Sequence, residues 1–152
     1  MGCVLEDTPR VSGGKTPVLL DTDAYSVAYV HPPGTDPRVF EVRSKLHQAV
    51  PFISFQTRAE LIAGAKEANW GIRRLNALRL QVAQTPTIHE TGSVIEAFAE
   101  LRALARRNGH ALHDKKHTGD LWVAASAAAR DLPLLSLDGI YYGHPGITLC
   151  EF

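Results

Sequence analysis

Residues 117–139, HTGDLWVAASAAARDLPLLSLDG, carry the reading that decides the fold. Thr118 and Gly119 open a helix with Asp120 in its first turn, where the helix dipole favours a carboxylate. The interior that follows, Val123 to Ala129, is built almost wholly from alanine, so its backbone can lie close against a sheet. Leu132 to Leu135 then reads as a short apolar strand, and Asp138-Gly139 as the turn that ends it. An acid thus begins the helix and another ends the strand. Ligand crevices of open parallel α/β sheets form in such places.

Working outward, two more acids occupy equivalent positions. In VLLDTD, residues 18–23, the apolar strand Val18-Leu19-Leu20 ends in Asp21, which could also cap whatever follows. Pro51 to Ser54 reads as a second strand, and Glu60 follows in TRAEL, residues 57–61. Glu60 is also the fourth residue of Thr57-Arg58-Ala59-Glu60, a capping-box pattern in which the glutamate bonds back to the helix start. Four carboxylates gathered from distant stretches would repel one another, and a hard divalent cation with oxygen ligands relieves that repulsion. The chemistry this suggests is metal-dependent phosphodiester hydrolysis, with Mg²⁺ or Mn²⁺ activating water and offsetting charge on the leaving oxygen.

The remaining segments alternate. A short helix is expected over Ala24–Val30, another restarts at Asp36-Pro37, and others run over Thr57–Glu67, Trp70–Val82, Ser93–Arg107 and from Thr118. Thr85–Ile88, a weak Ala111–Leu112 and Ile147–Leu149 complete the strands. This succession of βαβ units predicts an α/β fold with a mostly parallel sheet of about five short strands flanked by helices. Residues 1–16 show no apolar period and are expected to form a flexible leader before a single domain over 17–152.

The chain has 152 residues with 45% hydrophobic content, enough for one core without disulfide or metal staples. Cys3 and Cys150 stand at opposite ends with no CxxC spacing, which argues against a thiolate zinc site and suits a reducing cytoplasm. No apolar run reaches the length of a membrane span. Sixteen Lys plus Arg balance sixteen Asp plus Glu, so any nucleic-acid contact must come from local clusters. Arg73, Arg74 and Arg79 form one cluster, Arg102, Arg106 and Arg107 another, and Lys115 and Lys116 a third. Arg73, Arg74, Lys115 and Lys116 are candidate phosphate-backbone contacts.

VLLDTDAYSVAY, FISFQTRAELIAGA and HTGDLWVAASAAARDLPLLSLDGIYYGHPGI resemble, in order and spacing, the motifs of PIN domains, above all the toxin ribonucleases of VapBC-type toxin–antitoxin pairs. The resemblance spans residues 18–149. It implies the PIN fold, an Mg²⁺- or Mn²⁺-dependent endoribonuclease, a small cognate VapB-like antitoxin and a homodimer. Carried onto this chain, Asp21, Glu60, Asp120 and Asp138 match the metal-site acids. Ser136 matches a small hydroxyl residue two before the last acid, and Ser136 and Thr22 are expected to give the acids hydroxyl support. Asp23 stands where many relatives carry Asn, so its role is open. The loop His31–Asp36 has no counterpart, and residues 69–110 match only in helical character, which points to substrate choice residing there.

Three other readings are weaker. Leu20-Asp21-Thr22-Asp23 matches the nucleophile motif of haloacid-dehalogenase-like phosphatases, but Tyr25 stands where that pattern needs Thr or Val, and Ala124 where it needs a final acid. His110, His113 and His117 have a spacing that superficially suits zinc, without a completing acid or cysteine. A PIN-like module that binds RNA or protein without cutting is disfavoured because all four acids are present.

Overall fold

The structure is a computed structural model that describes residues 14–32 and 34–150. Four parallel strands form its centre: β1 (Thr16–Leu20), β2 (Ala49–Ser54), β3 (Thr87–Ile88) and β4 (Leu134–Leu135), in the order β3-β2-β1-β4. Every crossover carries helix. Thr22–Tyr25 (α1) runs on into a π-helical turn, Ser26–Val30, and Arg38–Leu46 (α2) completes the path to β2. Phe55–Glu67 (α3) and Ile72–Gln84 (α4) link β2 to β3, and Gly92–Arg107 (α5) and Thr118–Ala129 (α6) link β3 to β4.

Strand alternation assigns the core to two sides. Val18 and Leu20 point to one face with Ile53, Tyr25, Val42, Leu61 and Leu78; Leu19 points to the other with Phe52, Val94, Leu101, Leu121 and Leu134. Leu19 and Leu20 are fully buried, each contributing roughly 2 kcal/mol of transfer free energy. The alanine-rich α6 lies in the second layer, with Ala124, Ala125 and Ala127 almost entirely covered. Its one polar interior residue, Ser126, is satisfied by donating to the Trp122 carbonyl at 2.9 Å. Trp122 stacks on Phe98 of α5, with ring centroids 4.0 Å apart, which fixes α6 against its neighbour.

The chain departs from the sequence expectations in several places. The parallel sheet of about five short strands is borne out by four among the described residues, and the expected last strand, Ile147–Leu149, is reduced to an isolated parallel bridge, Leu134 to Leu149. Leu134 N–H donates to Thr148 O at 2.8 Å and Cys150 N–H to Leu134 O at 2.9 Å, so the segment does lie along the β4 edge. Ala111–Leu112 is not a strand. His110 folds back, its N–H donating to Ala105 O at 2.8 Å, and Ala111–His113 becomes a 3₁₀ turn followed by another over Lys115–His117. The helix expected from Thr57 begins at Phe55, since Ser54 is its cap and accepts from Thr57 N at 3.0 Å. β1 starts at Thr16, inside the stretch read as a leader; residues 1–13 of that stretch lie outside the described residues. Among the described residues no helix is long and apolar enough to cross a membrane.

Candidate active site

Strand order fixes the location. The chain moves outward from β1 to β2 to β3, then returns to place β4 on the opposite side of β1. A crevice therefore opens beyond the carboxyl ends of β1 and β4, where the direction of winding reverses. It holds a cavity of about 360 Å³ lined by Asp21, Thr22, Asp23, Glu60, Asp120 and Asp138, with Val123, Leu137, Gly139 and Tyr141 completing the wall. The four acids singled out in the sequence come together here, from four separate elements.

Each carboxylate is held by neighbours. Asp21 follows the last residue of β1, caps α1 by accepting from Ala24 N at 2.8 Å, and accepts from the Ser136 hydroxyl at the end of β4. Burial is the largest influence on Asp21 and, helped by the negative fields of Asp23 and Asp138, pushes its pKa up to about 6 against the opposing hydrogen bonds from Ser136 and Ala24. Glu60 accepts from the Thr22 hydroxyl and from Gln56 Nε2 at 2.8 Å. It does not close a capping box: with Ser54 as cap, Thr57 occupies the box position, and Glu60 lies on the next turn, lining the cavity. Asp120 sits in the first turn of α6, with His117 Nδ1 at 3.0 Å and the Tyr141 hydroxyl at 3.5 Å. Asp138 is exposed and caps a 3₁₀ turn over Gly139–Tyr141, accepting from Ile140 N at 3.0 Å; its own N–H donates to Ser136 Oγ at 2.9 Å.

Gly119 explains how α6 can approach so near. A Cβ there would stand 2.9 Å from both Glu60 Oε1 and Gln56 Nε2. Only a residue without a side chain leaves that carboxylate in place.

Two contributors, Gln56 and Tyr141, and the pairing of His117 with Asp120 escaped the sequence reading. Gln56 is four residues before Glu60 on one helix face, and His117 three before Asp120, so both spacings were available. Tyr141 is buried at the cavity wall, and its phenol is pushed up by burial and by the fields of Asp120, Asp21, Glu60 and Asp138 together. It remains a proton donor facing the acids. Asp23 is exposed and reaches Arg38 Nη1 at 3.5 Å. The three histidines weighed for zinc do not share a site: His110 Nε2 pairs with Tyr142 O at 2.9 Å, His113 with His110 O at 2.8 Å, and His117 with Asp120. Arg73 and Arg74 lie exposed on α4 and line neither this cavity nor any other described one, Arg74 resting 3.5 Å over the Trp70 ring. Lys116 stands 3.9 Å from Asp114, and Lys115 lines a separate cavity.

Among the described residues no three of His, Cys, Asp and Glu stand close enough together to hold one ion as they are placed. The donors are nevertheless all hard oxygens, and Mg²⁺ keeps several of its waters while taking only one or two carboxylates directly. Were such an ion held here, the rest of the ring would act through those waters.

No protein-family model matches the chain, and no curated protein does. Solved structures do. VapBC2 from Rickettsia felis, bound to a DNA fragment from its promoter, contains a chain that aligns at a TM-score of 0.69 and 17% identity, over 89% of this chain and 98% of that one. FitAcB from Neisseria gonorrhoeae aligns at 0.65 and 21%, over 88% and 96%. VapBC-5 from Mycobacterium tuberculosis, a member of the VapBC family of toxin–antitoxin systems, aligns at 0.64 and 20%, over 90% and 99%. The parallel sheet with its flanking helices is the PIN fold, shared along nearly the whole length of these chains.

Proposed function

We propose that this protein is an Mg²⁺- or Mn²⁺-dependent endoribonuclease, the toxin of a VapBC-type pair, neutralised by a small cognate antitoxin. The observation that carries the reading is the convergence of Asp21, Glu60, Asp120 and Asp138 on one cavity at the reversal point of a PIN sheet. Of Asp21, Glu60 and Asp120, one or two would hold the ion directly and the rest through its waters, with Asp138 serving a second ion or an ordered water. When bound, the ion supplies positive charge that activates water at neutral pH and offsets the charge developing on the leaving oxygen.

The chain's own residues do the rest. Ser136 and the Ala24 amide orient the Asp21 carboxylate, Thr22 and Gln56 orient Glu60, and His117 with Tyr141 orients Asp120. Val123 and Leu137 form the apolar part of the wall and limit water on that side. Phe40 on α2 and Ile72 and Leu80 on α4 are large apolar side chains left exposed, which supports a homodimer or antitoxin contact on those helices.

Incubating the purified protein with total RNA and Mg²⁺, then mapping the 5′ ends of the fragments, tests the reading. Discrete ends that vanish on chelation are expected. RNA left intact with either ion, by a folded protein freed of antitoxin, would overturn it.

A further inference from the structure

A second cavity, of about 570 Å³, lies between α5 and the 3₁₀ turns that lead into α6. Its charged and polar lining comes from Arg102, Arg106, Lys115 and His113, with Ala99 and Ala103 beside them, and among the described residues no carboxylate borders it. Arg102 and Arg106 are one helical turn apart, so their side chains share a face about 5–6 Å from each other at the Cβ atoms. Neither guanidinium, nor the Lys115 ammonium, has an ion-pair partner among the described residues. His113 is anchored through Nδ1 to the His110 carbonyl at 2.8 Å, which holds its ring at the cavity's edge. Like charges brought together on a helix face, without an internal counter-charge, form a site for an anion.

The position of this cavity says which anion. Lys115 is five residues before Asp120 and joined to it through His117 and the start of α6, so their Cα atoms are at most about 18 Å apart. A polymer with regularly spaced negative charge could occupy both cavities at once. We propose that the cavity bordered by Arg102, Arg106, His113 and Lys115 binds backbone phosphates of single-stranded RNA a few nucleotides from the bond that is cut. The proposal rests on the nuclease reading of the acid cavity. Arg102 and Arg106, one turn apart on α5, give a pair of phosphate ligands, and Lys115 approaches from the 3₁₀ turn across the cavity. The acid cavity, negative on its own, gains from such a neighbour because the basic groups offset repulsion between the acids and the incoming RNA.

Fluorescence anisotropy with a labelled single-stranded oligouridylate long enough to span both cavities tests this, in EDTA so that cutting does not intervene. Arg102→Gln/Arg106→Gln should weaken binding at least tenfold and flatten the salt dependence, by about 0.7 in the log–log slope for each phosphate no longer neutralised and about 1.4 for the pair. Lys115→Gln, on the opposite wall, should flatten it by about half as much. Arg79→Ala, on α4 and lining no described cavity, should change neither. Affinity and slope unchanged in both cavity variants would overturn the proposal while leaving metal-dependent cleavage by the wild type intact. Conversely, binding abolished in those variants, with no cleavage by the wild type, would support the phosphate site and overturn the nuclease reading alone.

Discussion

Asp21 bears the electrostatic cost of the site. Its folded pKa of about 6 lies above the ordinary 3.8, so the neutral form is favoured in the folded chain. Stability linked to this residue is fully present below about pH 4 and is lost as pH rises through 6, a difference on the order of 3 kcal/mol. Asp21→Asn should therefore stabilise the metal-free protein at pH 8 and change little at pH 4. Urea unfolding at the two pH values checks this; an equal effect at both would show that the carboxylate's burial carries no penalty. Gly119 is the steric counterpart. Gly119→Ala should leave stability within about 1 kcal/mol, since alanine is the better helix former, yet slow RNA cleavage by tenfold or more as the new Cβ displaces Glu60. Unchanged cleavage in that variant would mean that Glu60 can move without consequence. Both residues were visible in the sequence as parts of motifs. The partners that aim the carboxylates were less so: Tyr141 meets Asp120 across 21 residues of chain, and no local spacing announces such a pairing.

At the scale of elements, legibility followed apolar periodicity. Val39, Val42 and Leu46 of α2 and Leu75, Leu78 and Val82 of α4 are buried on one face each, as their helical spacing requires. Where the signal was only two or three apolar residues long, backbone bonding decided instead. Ala111-Leu112 is taken into a 3₁₀ turn by His110, and Ile147–Leu149 keeps a single bridge because Gly143, with φ +80°, and Pro145 turn the chain just before it. The start of α3 shows a different ambiguity. Ser54 and Thr57 are both good caps three residues apart, and only Thr57 has a glutamate at the box position; the structure caps with Ser54, freeing Glu60 for the cavity. Ser54 is completely buried, so Ser54→Ala should cost about 1–2 kcal/mol and shift Glu60 with the first turn of the helix. Thermal unfolding and cleavage assayed together check this: reduced stability with normal cleavage would separate the cap from the site.

At the scale of the whole molecule, the reversal of winding between β1 and β4 gives distant carboxylates one cavity, and their mutual repulsion makes that cavity a target for cations. An inhibiting antitoxin should satisfy the same demand by inserting an Arg or Lys among the acids. A complex whose affinity survives Asp21→Asn/Asp120→Asn unaltered would count against that mode of inhibition. The acids also differ in how firmly the fold holds them. Asp21 is buried between Ser136 and the Ala24 amide, whereas Asp138 is exposed at a turn before Gly139. A ligand on such a turn contributes more to a weakly held ion, whose occupancy rises with concentration. The direct measurement is the rate of cleavage of one defined oligoribonucleotide, titrated with Mn²⁺, for the wild type, Asp21→Asn and Asp138→Asn. Cleavage should rise to a plateau in the wild type, stay at least about a hundredfold lower in Asp21→Asn, and recover in Asp138→Asn at high Mn²⁺. Cleavage that ignores Mn²⁺, or an Asp21→Asn protein that cuts at the wild-type rate, would contradict the assignment of this cavity as a metal-dependent nuclease site.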